Sequence, residues 1–179
     1  MLHLRPYKKC DAGHIVNWCK DEVSFHKWCA DRFDYFPISE EELHAYYEEY
    51  AEDDGLFAMT AFDDSDTAGI AGHLMMRFLD KEKTVLRFGF IIVDAKKRGR
   101  GVGKEMLSLA VRYAFEILRV EKVTLGVFEN NAAARHCYKA VGFREASPET
   151  AEYYSILGEK WKCLELEMEK GMLEHATEV

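Results

Sequence analysis

Residues 86–104, LRFGFIIVDAKKRGRGVGK, hold the features that decide the fold. The run from Phe88 to Val93 is apolar and has the length and composition of a strand. A basic loop with glycines at Gly99, Gly101 and Gly103 follows it. After the loop, apolar residues recur at helical spacing: Val102, Met106, Leu109, Ala110, Tyr113 and Ile117. Strand, glycine-rich turn and helix bring unpaired backbone N–H groups to the positive end of a helix, so the sequence predicts an anion-binding site.

Length and composition predict one soluble globular domain. The chain has 179 residues, of which 48% are apolar and 31% charged. We expect this domain to span residues 1–170, with 171–179 as a C-terminal tail. There is no apolar signal core and no run near the roughly 18 apolar residues of a membrane span. The five cysteines contain no CxxC pair, so we expect reduced thiols, a cytoplasmic location and no metal site.

Charge is distributed unevenly along the chain. The net charge of −8 disfavours a nucleic-acid-binding protein, and a membrane partner is not expected either. Against this background the glycine-rich loop concentrates cations, namely Lys96, Lys97, Arg98, Arg100 and Lys104. A solvated basic loop is the plain alternative, but the glycine spacing favours a small bound polyanion.

The rest of the chain predicts a mixed sheet with helices packed on it. Asp11 caps one helix, and Ser39 forms a capping box with Glu42 at the start of another. Leu56–Phe62 and Ala68–Phe78 form a predicted hairpin around the turn 63–66. The other predicted elements are strands at Leu2–Tyr7 and Lys122–Phe128, a helix at Asn131–Val141, and a closing hairpin of Thr150–Ile156 and Trp161–Glu169 turned at Gly158. The order is β, α, α, α, β, β, β, α, β, α, β, β.

Two nucleotide-binding motifs fail on spacing. The dinucleotide fingerprint GxGxxG needs a small residue where Lys104 stands, or a glycine where Met106 stands. The P-loop pattern GxxxxGK[ST] needs a glycine at Arg98 and a Ser or Thr at Glu105. The glycine-rich loop is therefore neither of these motifs.

The spacing that fits is R-x-x-G-x-G, formed by Arg98, Gly101 and Gly103. This loop resembles the GNAT superfamily of acetyl-CoA-dependent N-acetyltransferases. The segment FENNAAARHCYKAVGF resembles the second signature of that superfamily: Asn131 opens a helix, Tyr138 follows seven residues later, and Gly142-Phe143 closes it. The element order agrees over nearly the whole chain. The resemblance implies a GNAT fold of the α/β (α+β) class, with a mixed central sheet of about seven strands and helices on both faces.

The resemblance also implies acetyl-CoA as co-substrate, bound between two strands that splay apart after a bulge near Gly89–Ile91. Backbone groups of Ile91, Ile92 and Val93 are expected to pair with the pantetheine like an added strand. The remaining expected cofactor-binding residues surround the pyrophosphate or face the cofactor: Arg98, Gly99, Arg100, Gly101, Val102, Gly103, Lys104 and Asn131. Lys96 and Lys97 are candidates for the adenosine phosphate.

Tyr138 is the candidate catalytic residue. Asn131, Ala134 and Tyr138 are spaced so that they share one helix face. The superfamily uses the matching tyrosine as a general acid, which protonates the leaving CoA thiolate. A phenol with a pKa near ~10 can donate to a thiolate whose conjugate thiol has a pKa near ~8.5. A packed helix tyrosine is the structural alternative for Tyr138, and a simple N-cap is the alternative for Asn131.

The general base is less well defined. Some relatives carry a Glu five residues before the position of Asn131, where this chain has Gly126. Glu129, His73 or a chain of water molecules remain alternatives for removing the amine proton. Cys137 follows His136 directly, and adjacent helix residues diverge by about 100°, so we expect a packed cysteine rather than a nucleophile.

The sequence does not identify the acceptor amine, which the resemblance leaves as a small molecule or a protein N-terminus. The acidic helix with Glu40, Glu41, Glu42, Glu48 and Glu49 either attracts a cationic acceptor or is a solvated face. Trp28, Phe33, Tyr35 and Phe36 either wall the acceptor site or belong to the core. A homodimer is left open. The predicted function is acetyl transfer to a primary amine by direct attack, and the alternative is a non-catalytic acyl-CoA sensor.

Overall fold

The computed structural model describes residues 1–53, 55–65 and 69–171. The predicted tail after Gly171 lies outside these residues, as do Asp66 of the predicted turn and Ala68, the first residue of the predicted strand Ala68–Phe78. The strands are β1 (Leu2–Pro6), β2 (Leu56–Asp63), β3 (Ile70–Phe78), β4 (Val85–Val93), β5 (Lys122–Phe128), β6 (Arg144–Glu145), β7 (Glu152–Ile156) and β8 (Glu159–Glu169). The α-helices are α1 (Ala12–Val16), α2 (Glu22–Cys29), α3 (Glu40–Glu49), α4 (Val102–Arg112) and α5 (Ala132–Val141).

These strands form one mixed sheet. Its order is β1-β2-β3-β4-β5-β8-β6, with β7 paired to β8. All these pairs are antiparallel except β4 with β5, which is the parallel pair that the crossover helix α4 connects. The predicted mixed sheet of about seven strands is confirmed, and the two-residue strand β6 is the addition.

Helices cover both faces of the sheet, as predicted. On one face, α1, α2 and α3 pack over the first half of β3 and the second half of β4 around Phe25, Leu43 and Phe90. On the other face, α4 and α5 pack over the centre of the sheet around Phe88, Met106 and Tyr138. Burial of these two apolar layers is the main stabilising contribution to the domain.

A β-bulge in β4 explains why neighbouring residues of one strand serve opposite layers. His73 pairs with Ile92 but Met75 pairs with Gly89, so β4 carries one extra residue between these pairs. Phe90 has a φ of 49°, which is uncommon for a bulky side chain. Phe88 faces the α4 and α5 layer, whereas Phe90 faces the α1–α3 layer. The bulge expected near Gly89–Ile91 is therefore present.

The predicted buried face of the long helix is partly wrong. Met106 and Ala110 are buried as expected, but Ile117 is 65% exposed. The helix continues from α4 into a π-helical segment, Tyr113–Ile117. Because a π-turn holds an additional residue, it rotates the following side chains relative to a regular 3.6-residue period. Phe115 consequently enters the core and Ile117 leaves it.

Candidate functional site

The two central parallel strands separate halfway along their length. β4 pairs with β5 only from Val85 with Lys122 to Phe88 with Leu125, although both strands continue beyond these residues. From Gly89 onward the edge of β4 that faces β5 is therefore without a partner strand within the described residues. Backbone N–H and C=O groups on such an edge can pair with an extended ligand.

The glycine-rich loop stands at the end of this opening. Gly99 and Gly101 have φ values of 74° and 82°, in the left-handed region that glycine adopts without strain. Gly101 is the N-cap of α4 and supplies no side-chain cap, so the N–H groups of the first turn are free for an anion. A Cβ at Gly103 would lie 3.4 Å from Sγ of Cys137 and 3.5 Å from Val93, which is ordinary van der Waals contact, so α4 packs directly against β4 and α5 at this position.

The cations of the loop take different positions. Arg98 is exposed, and its Nε donates to the carbonyl oxygen of Val93 at 3.2 Å, which ties the loop to the end of β4. Lys97 donates to the carbonyl oxygen of Ile70 at 3.2 Å. Arg100 and Lys104 are exposed beside the first turn of α4. The loop thus combines free N–H groups with exposed positive charge in one place.

Helix α5 brings the two motif residues to the same region. Asn131 is the N-cap, and its Oδ1 accepts from the N–H of Ala134 at 3.4 Å. Tyr138 is buried, with its ring 6.4 Å from that of Phe143. Cys137 is partly buried and packs with Val141 against the α4 and α5 core, as expected for a packed cysteine. Burial raises the pKa of the Cys137 thiol, which disfavours a reactive thiolate.

The Tyr138 hydroxyl makes no hydrogen bond with any described residue. Burial raises the pKa of Tyr138 above the usual range of a phenol, and the Cys137 and Cys163 thiols add to this shift. Its hydroxyl is therefore protonated throughout the physiological pH range. A buried phenol that is protonated and makes no hydrogen bond can donate a proton or a hydrogen bond to a ligand.

Gly126 accommodates an ion pair where some relatives carry a carboxylate. Nη1 of Arg87 donates to Oε1 of Glu165 at 2.6 Å across β5. A Cβ at Gly126 would lie 2.9 Å from Nη2 of Arg87 and 3.0 Å from Sγ of Cys163. The glycine thus leaves room for the arginine to cross the sheet, and this explains the departure from the superfamily pattern.

Gly126→Ala tests this explanation. The added methyl group clashes with a guanidinium that is already fixed by Glu165, so we expect destabilisation by about 1–3 kcal/mol. Gly171→Ala is the control, because a Cβ there would meet nothing within 4 Å. Urea unfolding followed by circular dichroism gives both values, and equal stability of the two variants would contradict the explanation.

A cavity of about 460 Å³ opens beside this ion pair, on the α1–α3 side of the sheet. It reaches from the end of α2 to the point where β4 and β5 separate, marked by Gly89 and Gly126. Its apolar walls include Trp28, Phe90 and Phe128. Cys163 of β8 also lines the cavity, beside Gly126.

Several candidates from the sequence lie elsewhere. His73 is fully buried, and its Nε2 shares a hydrogen bond of 2.6 Å with the hydroxyl of Tyr47. Burial lowers the pKa of His73 to about 3. Because it is enclosed in the core, it cannot reach an amine. Glu129 is exposed, 3.8 Å from Lys162, and does not line the cavity. Phe33 and Phe36 pack on the α1–α3 core, and Tyr35 is exposed. Of the four aromatic candidates, Trp28 walls the cavity.

The acidic face of α3 is likewise not part of the cavity. Glu42 accepts from the Ser39 N–H in the capping box and from Tyr35, and Glu48 pairs with His44 at 3.2 Å. Tyr46 of α3 and Tyr50, its C-cap residue, are the side chains that this region contributes to the cavity. The alternative of a solvated acidic face is therefore the one that fits.

The arginines of the cavity are functional candidates that no motif in the sequence marks. Arg77 on β3 stands directly opposite Arg87 on β4, and both line the cavity with Arg32 from the end of α2. Their distance along the chain hides this grouping. The alternating pattern of β3 and β4 places Arg77 and Arg87 on strand faces, but only the register between the strands brings them together.

No helix in the described part of the chain has the length and apolar character that a membrane crossing requires. In the same ranges, no three His, Cys, Asp or Glu side chains gather closely enough to hold a metal ion. The expectation that no metal takes part stays a prediction.

Comparison with known proteins agrees with this geometry. A family described as an acetyltransferase (GNAT) domain matches residues 1–144. An N-acetyltransferase 9-like protein of Caenorhabditis briggsae is 24% identical over 157 residues, which cover 83% of this chain and 77% of that protein. The L-amino acid N-acetyltransferase AaaT of Escherichia coli is 31% identical over 102 residues, covering 56% of this chain and 60% of that protein.

The fold is also that of solved acetyltransferases. A spermidine N-acetyltransferase from Vibrio cholerae, in complex with CoA and spermine, superposes with a TM-score of 0.80 over 96% of each chain, at 22% identity. At this identity the likeness supports the fold alone. The family match over residues 1–144 carries the assignment further: this chain belongs to the GNAT acetyltransferase family, whose members transfer an acetyl group from acetyl-CoA to an amine.

Proposed function

We propose that the chain binds acetyl-CoA along the free edge of β4 and transfers its acetyl group to a primary amine in the cavity by direct attack, with Tyr138 as general acid. One observation carries this proposal: β4 and β5 separate between an anion-binding helix start on one side and a cavity of about 460 Å³ on the other. A ligand with an extended amide chain and a pyrophosphate fits the free strand edge and the helix start, and a small amine fits the cavity.

The residues proposed to hold the co-substrate belong to the free edge of β4, the glycine-rich loop and the start of α5. Backbone groups of Ile91, Ile92 and Val93 pair with the amide-bearing arm. The N–H groups of Val102, Gly103 and Lys104 receive the pyrophosphate, because they are the first N–H groups of an uncapped helix. Gly99 and Gly101 let the backbone approach it, and the basic side chains Arg98, Arg100 and Lys104 neutralise its charge. Asn131 holds the start of α5 against this site.

Tyr138 assists departure of the thiol. Amine attack on the thioester carbonyl expels a thiolate, which becomes a better leaving group when a neutral phenol donates to it. The raised pKa of Tyr138 keeps this proton available. Gly126 supplies no carboxylate, so the chain lacks the base that some relatives place there.

The acceptor is a small molecule or a protein N-terminus, and the size of the cavity favours the former. Neither nucleic acid nor a membrane is part of this proposal, and a homodimer stays a prediction. The test is release of the CoA thiol with a panel of amines, alongside thermal stabilisation by acetyl-CoA. Absence of stabilisation would overturn the co-substrate site. Stabilisation without turnover of any amine would favour an acyl-CoA sensor instead.

Gly101→Val tests the anion site separately. Valine is strained in the left-handed conformation of Gly101, whereas asparagine tolerates it, so Gly101→Asn is the matched control. We expect the Kd for acetyl-CoA to rise about tenfold or more for valine, equivalent to the roughly 1–2 kcal/mol of strain that displaces the loop. Calorimetric titration measures both variants. An unchanged Kd for Gly101→Val would show that the loop does not hold the pyrophosphate.

A further inference from the structure

The cavity proposed for the acceptor is lined by cations. Lys27, Arg32, Arg77 and Arg87 face it, and Asp31 is its one acidic lining residue within the described ranges. Asp31 pairs with Arg32 at 3.1 Å, and Arg87 pairs with Glu165. Arg77 forms no ion pair or hydrogen bond with any described residue. The cavity therefore has an excess of positive charge, in a chain whose net charge is −8.

The strand register makes this charge costly. Arg77 and Arg87 are direct cross-strand partners in the antiparallel pair β3–β4. Like charges in directly opposed positions destabilise a sheet. Glu165 compensates Arg87, but nothing in the described chain compensates Arg77. An anionic group bound at Arg77 would remove this repulsion.

A second guanidinium stands near Arg77. Arg32, which follows α2, lines the same cavity as Arg77. The pKa of Tyr46 is raised, chiefly by burial, and the charges of Arg32 and Arg77 both act against that shift. Tyr46 itself lines the cavity. Two guanidinium groups beside one phenol are suited to a carboxylate, which arginine binds through paired hydrogen bonds.

We propose that the acceptor is an amine that also carries a carboxylate, held by Arg77 and Arg32 at the outer part of the cavity, and not a polyamine. The proposal rests on the proposed function, since it specifies the acceptor of the same reaction. A free amino acid and a peptide with a carboxylate near its N-terminus share this chemistry. A polyamine carries only positive charge, so it would meet the unpaired Arg77 with repulsion instead of a partner.

The experiment compares matched acceptors with the purified full chain and acetyl-CoA. The panel contains the L-amino acids, their carboxamides, short peptides with and without an acidic second residue, and spermidine and spermine. We expect at least one carboxylate-bearing amine to show a kcat/KM more than tenfold above that of its carboxamide and of either polyamine. Comparing the free amino acids with the peptides shows which of these two kinds of acceptor the cavity binds.

Arg77→Gln and Arg77→Glu are the test variants, and Arg112→Gln on the far helix α4 is the control. We expect Arg77→Gln to raise KM for the best carboxylate acceptor about tenfold, with kcat and stabilisation by acetyl-CoA unchanged. Arg77→Glu should reverse the preference towards polyamines. Because Arg77 is exposed and faces Arg87, neither variant should lower the thermal midpoint.

Thermal shifts of the CoA-saturated protein by each acceptor give a readout that does not need turnover. A polyamine preferred over every carboxylate-bearing amine would overturn the proposal, and so would equal responses to acid and carboxamide in both assays. Those results would leave the proposed function intact as long as acetyl-CoA stabilises the chain and thiol is released. Failure of acetyl-CoA to stabilise the chain would instead remove the proposed function itself.

Discussion

Tyr138→Phe is expected to lower kcat by about 10²-fold or more, the usual contribution of a positioned general acid. The substitution removes only the hydroxyl, and the ring that packs near Phe143 remains. Because that hydroxyl has no hydrogen-bond partner in the described chain, stability should change by less than about 0.5 kcal/mol. Thiol release at saturating acetyl-CoA and acceptor gives kcat, and calorimetric titration should show an unchanged Kd for acetyl-CoA.

Tyr113→Phe is the matched control for Tyr138→Phe. Tyr113 begins the π-helical segment after α4, is partly buried and packs against the same core. It has no place in the proposed chemistry, so its kcat should stay within about twofold of the wild type. If Tyr138→Phe retained full kcat, Tyr138 would be a packing residue and the proton would reach the thiolate by another route. If both variants lost activity equally, the loss would be structural.

The parts of the site that depend on local sequence could be predicted. Left-handed conformations at Gly99 and Gly101, the start of α4 and the cap at Asn131 are set by the residues that form them. The parts that depend on strand register could not. Gly126 looked like a missing base, and only the path of Arg87 to Glu165 across β5 shows why a side chain is excluded there.

The same distinction applies to the fold. Most strands and helices were predictable from apolar periodicity and from the caps at Ser39 and Asn131, and the bulge followed from the family resemblance. The predicted cap at Asp11 was wrong, because its carboxylate makes no side-chain cap on α1 and instead accepts from Arg5, Lys8 and Thr60. The π-helical segment was not predictable, because a single inserted residue in a turn leaves no mark in a 3.6-residue pattern. It moves Phe115 inward and Ile117 outward, contrary to the predicted face. The opposition of Arg77 and Arg87 was hidden for a related reason, since periodicity does not encode the register between strands.

Asp11→Ala is expected to have the largest effect on stability, about 3–5 kcal/mol, because it leaves a partly buried arginine without its counter-ion. Asp11 is fully buried. Arg5 donates to both its carboxylate oxygens at 2.7 and 2.8 Å, Thr60 donates at 2.8 Å, and the N–H of Lys8 donates at 2.9 Å. This network joins β1, β2 and the start of α1. Glu116→Ala, which removes an exposed i,i+4 partner of Arg112, is the control and should cost a few tenths of a kcal/mol.

The contribution of Asp11 to the stability of the fold should decrease at low pH. Burial alone would raise the pKa of Asp11, but the hydrogen bonds from Arg5, Lys8 and Thr60 outweigh it, so the pKa is lowered in the folded chain. The carboxylate therefore contributes its stability above the unfolded pKa of about 3.9 and loses it as the pH falls through the lower folded value. In urea unfolding, the advantage of wild type over Asp11→Asn should be constant near pH 7 and shrink below about pH 4. An advantage that stayed constant down to pH 3 would mean that Asp11 stabilises the fold by packing, because only an ionised carboxylate loses its contribution on protonation.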